Sequence, residues 1–158
     1  MKTKEKVYVK ANWRFVVRDA KTGEVRKEVK KENVLTTIVK QFFAQAYGNG
    51  TFRSGKTWYL VLGTGSGTPA ETDTALFTEV PSTAKTGTIS VSGNTVQFYV
   101  RYLPEEANGY TYTEAGIYDN CDSGDYTTGS LINHVLIEPE ITKDSSILLD
   151  VYVTITFP

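Results

Sequence analysis

The chain has 158 residues, 40% of them hydrophobic, with 17 basic and 18 acidic side chains and a net charge of −1. That length supports one well-buried domain and is short for two. No apolar run approaches the roughly eighteen residues of a membrane-spanning helix, and a lone cysteine, Cys121, excludes an internal disulfide and a thiolate zinc site.

The charged start, Met1-Lys2-Thr3-Lys4-Glu5-Lys6, leads into a strand pattern and is not read as a secretory leader. Val7, Val9, Ala11, Trp13, Phe15 and Val17 alternate with residues such as Lys6, Lys10, Arg14 and Arg18. This period of two marks a long half-buried strand. A turn at 19–23 with a glycine follows, so residues 6–18 and 24–32 read as a hairpin. Ile38, Phe42 and Gln45, with Val39, Phe43 and Ala46, recur at helical spacing. Thr36 or Thr37 suits the start of that helix and Gly48 its end.

Residues 58–62 form a short apolar run, read as a buried strand, and the glycine-rich stretch 63–68 turns the chain. Residues 73–76 read as one helical turn. Ile89 and Val91 alternate on one side of Ser92-Gly93-Asn94, and Val96, Phe98, Val100 and Tyr102 on the other, which is a second hairpin. Strands at 110–118 and 131–137 precede a last one, in which Ile147, Leu149, Val151, Val153, Ile155 and Phe157 repeat the opening pattern. The whole, 1–158, reads as a single mainly β domain: an antiparallel, jelly-roll-like sandwich with one short helix.

Charge is unevenly spread. Residues 1–47 hold 12 of the 17 basic side chains against 5 acidic ones, a net of +7, and the remainder carries −8. The basic residues alternate with apolar ones, so they form a solvated strand face. Lys6, Lys10, Arg14, Arg18, Arg26 and Lys30, in the hairpin 1–32, are expected to form an assembly surface. There they would dock on acidic surfaces of another subunit along an exposed strand edge. Nucleic acid is the less favoured partner for that face.

Several runs resemble chemical motifs. Residues 50–57 match GxxxxGK[ST], but a helix precedes the run and a strand follows it, the reverse of what phosphate binding needs. Residues 63–67 imitate a dinucleotide fingerprint without its long helix, and a tight connection is favoured. Asp119, Asp122 and Asp125 could supply oxygen ligands to Ca²⁺, though the spacing is not an EF-hand and a polar turn is favoured. His134 lies in a strand with no GxSxG elbow in the chain. Glu105-Glu106 and Glu138 with Glu140 invite a glycosidase reading, which charged turns explain equally well. Cys121 falls in a polar loop and is expected to be an exposed thiol. No cofactor and no catalytic residue is expected.

Three segments stand apart. They are Leu62-Gly63-Thr64-Gly65 with Pro69-Ala70-Glu71-Thr72-Asp73-Thr74-Ala75-Leu76, then Glu105-Glu106-Ala107-Asn108-Gly109, then Thr113-Glu114-Ala115-Gly116-Ile117-Tyr118. Together, over roughly residues 33–157, they resemble a family of tailed-bacteriophage virion structural proteins of the tail-fibre, baseplate or capsid-surface type. The resemblance implies a non-enzymatic virion component: a capsid decoration or a tail or fibre protein, assembled in the host cytoplasm. It implies symmetric homo-oligomers, a trimer above all, that contact other virion proteins. A module that binds a host-surface glycan or protein is the alternative, and a polysaccharide-degrading enzyme ranks last. Residues 1–32 match no part of that pattern.

Overall fold

The computed structural model describes residues 9–49 and 54–158. Its strands are β1 (Lys10–Asp19), β2 (Val25–Leu35), β3 (Thr57–Gly63), β4 (Thr88–Ser92), β5 (Thr95–Tyr102), β6 (Tyr110–Cys121), β7 (Ser130–Lys143) and β8 (Ile147–Thr156). One helix, α1 (Ile38–Asn49), joins β2 to β3, and short 3-10 turns occupy Pro81–Thr83 and Tyr126–Thr128. All pairings are antiparallel, in the order β3-β6-β7-β2-β1-β8-β5-β4.

The strands form two layers because β2 changes partner along its length. Residues 25–33 pair with β1, whereas only Val34 and Leu35 pair with β7. One layer is β2-β1-β8-β5-β4 and the other is β3-β6-β7, the expected antiparallel sandwich with one helix.

The core lies where the alternation put it. Trp13, Phe15, Leu149, Val151 and Val153 of the first layer are all at most 1% exposed. They meet Leu60, Leu62, Ile117 and Val135 of the second. Trp58 and Phe98 touch edge to face across the layers at 4.8 Å. Each large apolar side chain so buried contributes about 1.5–3 kcal/mol.

The opening hairpin forms, with Gly23 at φ +75° in its turn. Its first strand is not the exposed edge that was expected: β1 lies between β2 and β8. Residues 73–76 form no helical turn. Instead Asp73 N–H closes a tight turn on the Ala70 carbonyl at 3.0 Å. Beside the start of the helix, the Thr36 hydroxyl donates to the Leu131 carbonyl at 2.5 Å. α1 closes one open end of the sandwich, burying Val39 and Phe42 and leaving Phe43 42% exposed.

Candidate functional site

The strongest concentration of buried polar chemistry surrounds Glu114, on β6. Ala115 and Ile117 face the core, so alternation along β6 puts Glu114 on the outer face of its layer, yet the connection after β3 covers it and its side chain has no exposed surface. The carboxylate accepts backbone hydrogen bonds from Gly65 (2.7 Å), Phe77 (2.8 Å) and Thr78 (2.7 Å). It also meets His134 Nε2 at 2.8 Å, and His134 Nδ1 meets Asp73 Oδ2 at 2.7 Å. Phe77 covers the imidazole with ring centroids 4.6 Å apart.

The charges support one another. Burial disfavours ionised Glu114, but hydrogen bonds from His134 and the three amides outweigh it and hold its pKa below the ordinary carboxylate value. Burial likewise opposes a charged His134, yet its bonds to Glu114 and Asp73 win, and its pKa is raised above the ordinary histidine value.

The glycines beside this group follow from the same packing. A Cβ on Gly63 would fall 2.7 Å from the Glu114 side chain, and one on Gly65 only 2.2 Å. The fingerprint-like run 63–67 is therefore a close approach of backbone to a carboxylate. Two residues on, a Cβ on Gly116 would come within 2.7 Å of both Leu76 and Leu131. Tyr118 completes the run: its hydroxyl accepts from Leu76 N–H at 3.2 Å and donates to Glu79 at 2.9 Å.

A second buried group explains the segment 105–109. Lys143 is 1% exposed. Its ammonium donates to the carbonyls of Leu103 (3.0 Å) and Asp144 (3.0 Å) and to Asn108 Oδ1 (2.8 Å). Burial lowers its pKa. Asn108 Nδ2 reaches back to the Pro104 carbonyl at 2.7 Å, and Ala107 and Gly109 take positive φ in the same loop.

A carboxylate–imidazole–carboxylate chain can relay protons, but a general base must reach its substrate. Glu114 and His134 are covered, and each ring nitrogen of His134 is already engaged. What the arrangement does chemically is to tie β6 and β7 to the connection that follows β3, residues 64–80.

A scan of family models, a search of curated proteins and a search of solved structures each return no match.

The other sequence-predicted residues are dispersed. On the outward face of the first layer, Lys10, Arg14, Arg26 and Lys30 are exposed, and Arg18 is half-buried. Lys6 lies outside the described residues. Most of these cations meet an acid: Arg14 and Lys30 meet Glu28, Arg26 meets Asp19, and Arg18 meets Asp150. Asp150 was missed by pattern reading. It occupies a solvent-side position yet is fully covered by Arg18, Arg101 and Tyr99.

Asp119, Asp122 and Asp125 do not converge. Asp119 is buried, Asp122 pairs with Lys56, and Asp125 caps the turn Tyr126–Thr128 by accepting from Thr127 N–H. Among the described residues no group of three acidic, His or Cys side chains could hold a metal ion. Lys56, at the end of the phosphate-loop-like run, is thus in an ion pair between α1 and β3, while residues 50–53 of that run lie outside the described residues. Cys121 is not an exposed thiol. It is buried at the end of β6, and burial pushes its pKa up to about 11. Glu105 and Glu106 line one cleft and Glu138 and Glu140 another, so they do not face each other as a catalytic pair.

Proposed function

We propose that the chain is a non-catalytic structural component of a tailed-phage particle: a capsid decoration or a tail or fibre protein that packs against copies of itself and other particle proteins. One observation carries the reading. The residues behind the sequence resemblance are consumed in holding the sandwich together, Glu114 with its four partners foremost. Such a knot serves a part that must keep its shape outside a cell.

A host-surface binding module is the second reading. It draws on the outward face, where Tyr99 and Tyr152 stack at 4.8 Å beside Arg14, a platform suited to sugar rings. A mass-spectrometric inventory of gradient-purified particles tests the first reading. Peptides of this chain are expected at a constant copy number per particle. Their confinement to the particle-free lysate would overturn it, and saturable glycan binding lost in Tyr152→Ala would then favour the second.

A further inference from the structure

The two layers treat their strand edges differently. The edge at β3 is closed by the chain itself: Leu60 and Lys85 exchange both backbone bonds, at 2.9 and 3.0 Å, and Val80 N–H donates to the Leu62 carbonyl at 2.9 Å. Along β2, residues 25–33 pair only with β1, but six of those nine side chains are charged (Arg26, Lys27, Glu28, Lys30, Lys31 and Glu32). Charge is the ordinary guard of an open edge.

β4 has neither protection. Among the described residues it pairs only with β5, in an unbroken register. No charged residue and no proline occurs between Lys85 and Arg101. Ile89 and Val91 point to the core side with Phe98 and Val96, yet they are 40% and 71% exposed. Val96 continues this apolar strip into a cavity of about 130 Å³ beneath α1, lined also by Phe42, Phe43 and Phe157.

We propose that β4 is where two copies of this chain join, edge to edge and antiparallel, about a twofold axis at Ser90. The strand Thr88-Ile89-Ser90-Val91-Ser92 is self-complementary in that register. Ile89 of each copy opposes Val91 of the other on the core side, while Thr88 opposes Ser92 and Ser90 opposes Ser90 on the outer side. A slip of one residue would set apolar against polar faces. The charged run of β2 is a poor alternative partner, because it would bring six charges against an uncharged strand. An edge that pairs with itself is isologous and closes at two copies. Twofold symmetry thus replaces the threefold expectation. Because the contact is neutral, salt should not weaken it, unlike docking through the basic hairpin.

Light scattering on the full chain tests this. The expected result is a dimer that persists at 1 M NaCl, where the Debye length is about 3 Å. Val91→Lys should give a monomer that stays folded by circular dichroism, since the side chain is mostly in water. Ser90→Cys should form a disulfide-linked dimer on mild oxidation, because residues directly opposite in an antiparallel pair lie about 4.5–5.5 Å apart at Cα. Ser82→Cys, exposed elsewhere, should not. A monomer or trimer for the native chain would overturn the proposal, as would a dimer that dissolves in salt, a Val91→Lys dimer, or no cross-link through Ser90→Cys. The particle inventory is independent of these readouts, so failure of one reading leaves the other standing.

Discussion

Glu114 and Asp150 are both carboxylates with no exposed surface, and they differ in what holds them. Glu114 takes its bonds from three backbone amides and a buried imidazole. Asp150 takes its bonds from the ends of side chains: Arg101 at 2.7 and 2.9 Å, Arg18 at 3.0 Å and Tyr99 at 2.7 Å. Backbone amides cannot leave without moving a loop. The side chains of Arg101 and Arg18 are 43% and 27% exposed and can turn back to water. Equal burial therefore conceals unequal consequences when the charge is lost.

Glu114→Ala tests this most severely. It strands the buried amide of Gly65 and the part-buried amides of Phe77 and Thr78 and leaves His134 charged beside Asp73 alone, so a loss of about 3–5 kcal/mol is expected in urea denaturation. Asp150→Ala should cost less, about 1–3 kcal/mol, since its partners regain hydration. Equal losses would break the distinction between backbone and side-chain partners.

Titration sharpens it. The folded pKa of His134 is raised, so its stabilisation is complete below the ordinary histidine value and is lost as pH rises through the folded one. Glu114 and Asp150 have lowered pKa values: burial works against the charge, and hydrogen bonds more than compensate. Their stabilisation is present above the ordinary carboxylate range and is lost as pH falls through the lowered values. Only the Glu114 end contains a histidine. Urea midpoints across pH should therefore show an alkaline decline in the native chain and in Asp150→Ala, and a flattened one in His134→Gln. A decline that persists in His134→Gln would assign it elsewhere.

Much of the frame was legible beforehand, because period-two alternation in β1, β5 and β8 depends only on which face meets the core. Glu114 was legible as part of a segment, but its role was not. Its partners Gly65, Phe77, Thr78 and His134 lie far from it along the chain, and only the fold brings them together. Cys121 was placed in a loop because Asp119, Asn120 and Asp122 around it are polar, although β6 runs through it, and Asp150 was passed over for a different reason. Periodicity reports which side of a sheet a residue occupies and not whether long neighbours cover it. β1 was misread as an edge because strand order depends on pairings across the whole chain, here with residues 147–156.

The smallest effect expected comes from the same outward face. Arg14 bonds Glu28 at 2.7 Å and lies 5.3 Å from the centre of the Tyr152 ring, but its side chain is 46% exposed. Water screens such a pair and solvates each partner when the other is removed. Arg14→Asp also places the new carboxylate opposite Lys30, its partner in the β1–β2 register, which offsets part of the repulsion from Glu28. The thermal midpoint should move by no more than about 2 °C. Asp150 is the cross-strand neighbour of Val16, two positions along β1 from Arg14, and there coverage by two arginines and a tyrosine makes the charge matter. If Arg14→Asp lowers the midpoint as far as Asp150→Ala does, the face responds to charge in general, and coverage is not what sets Asp150 apart.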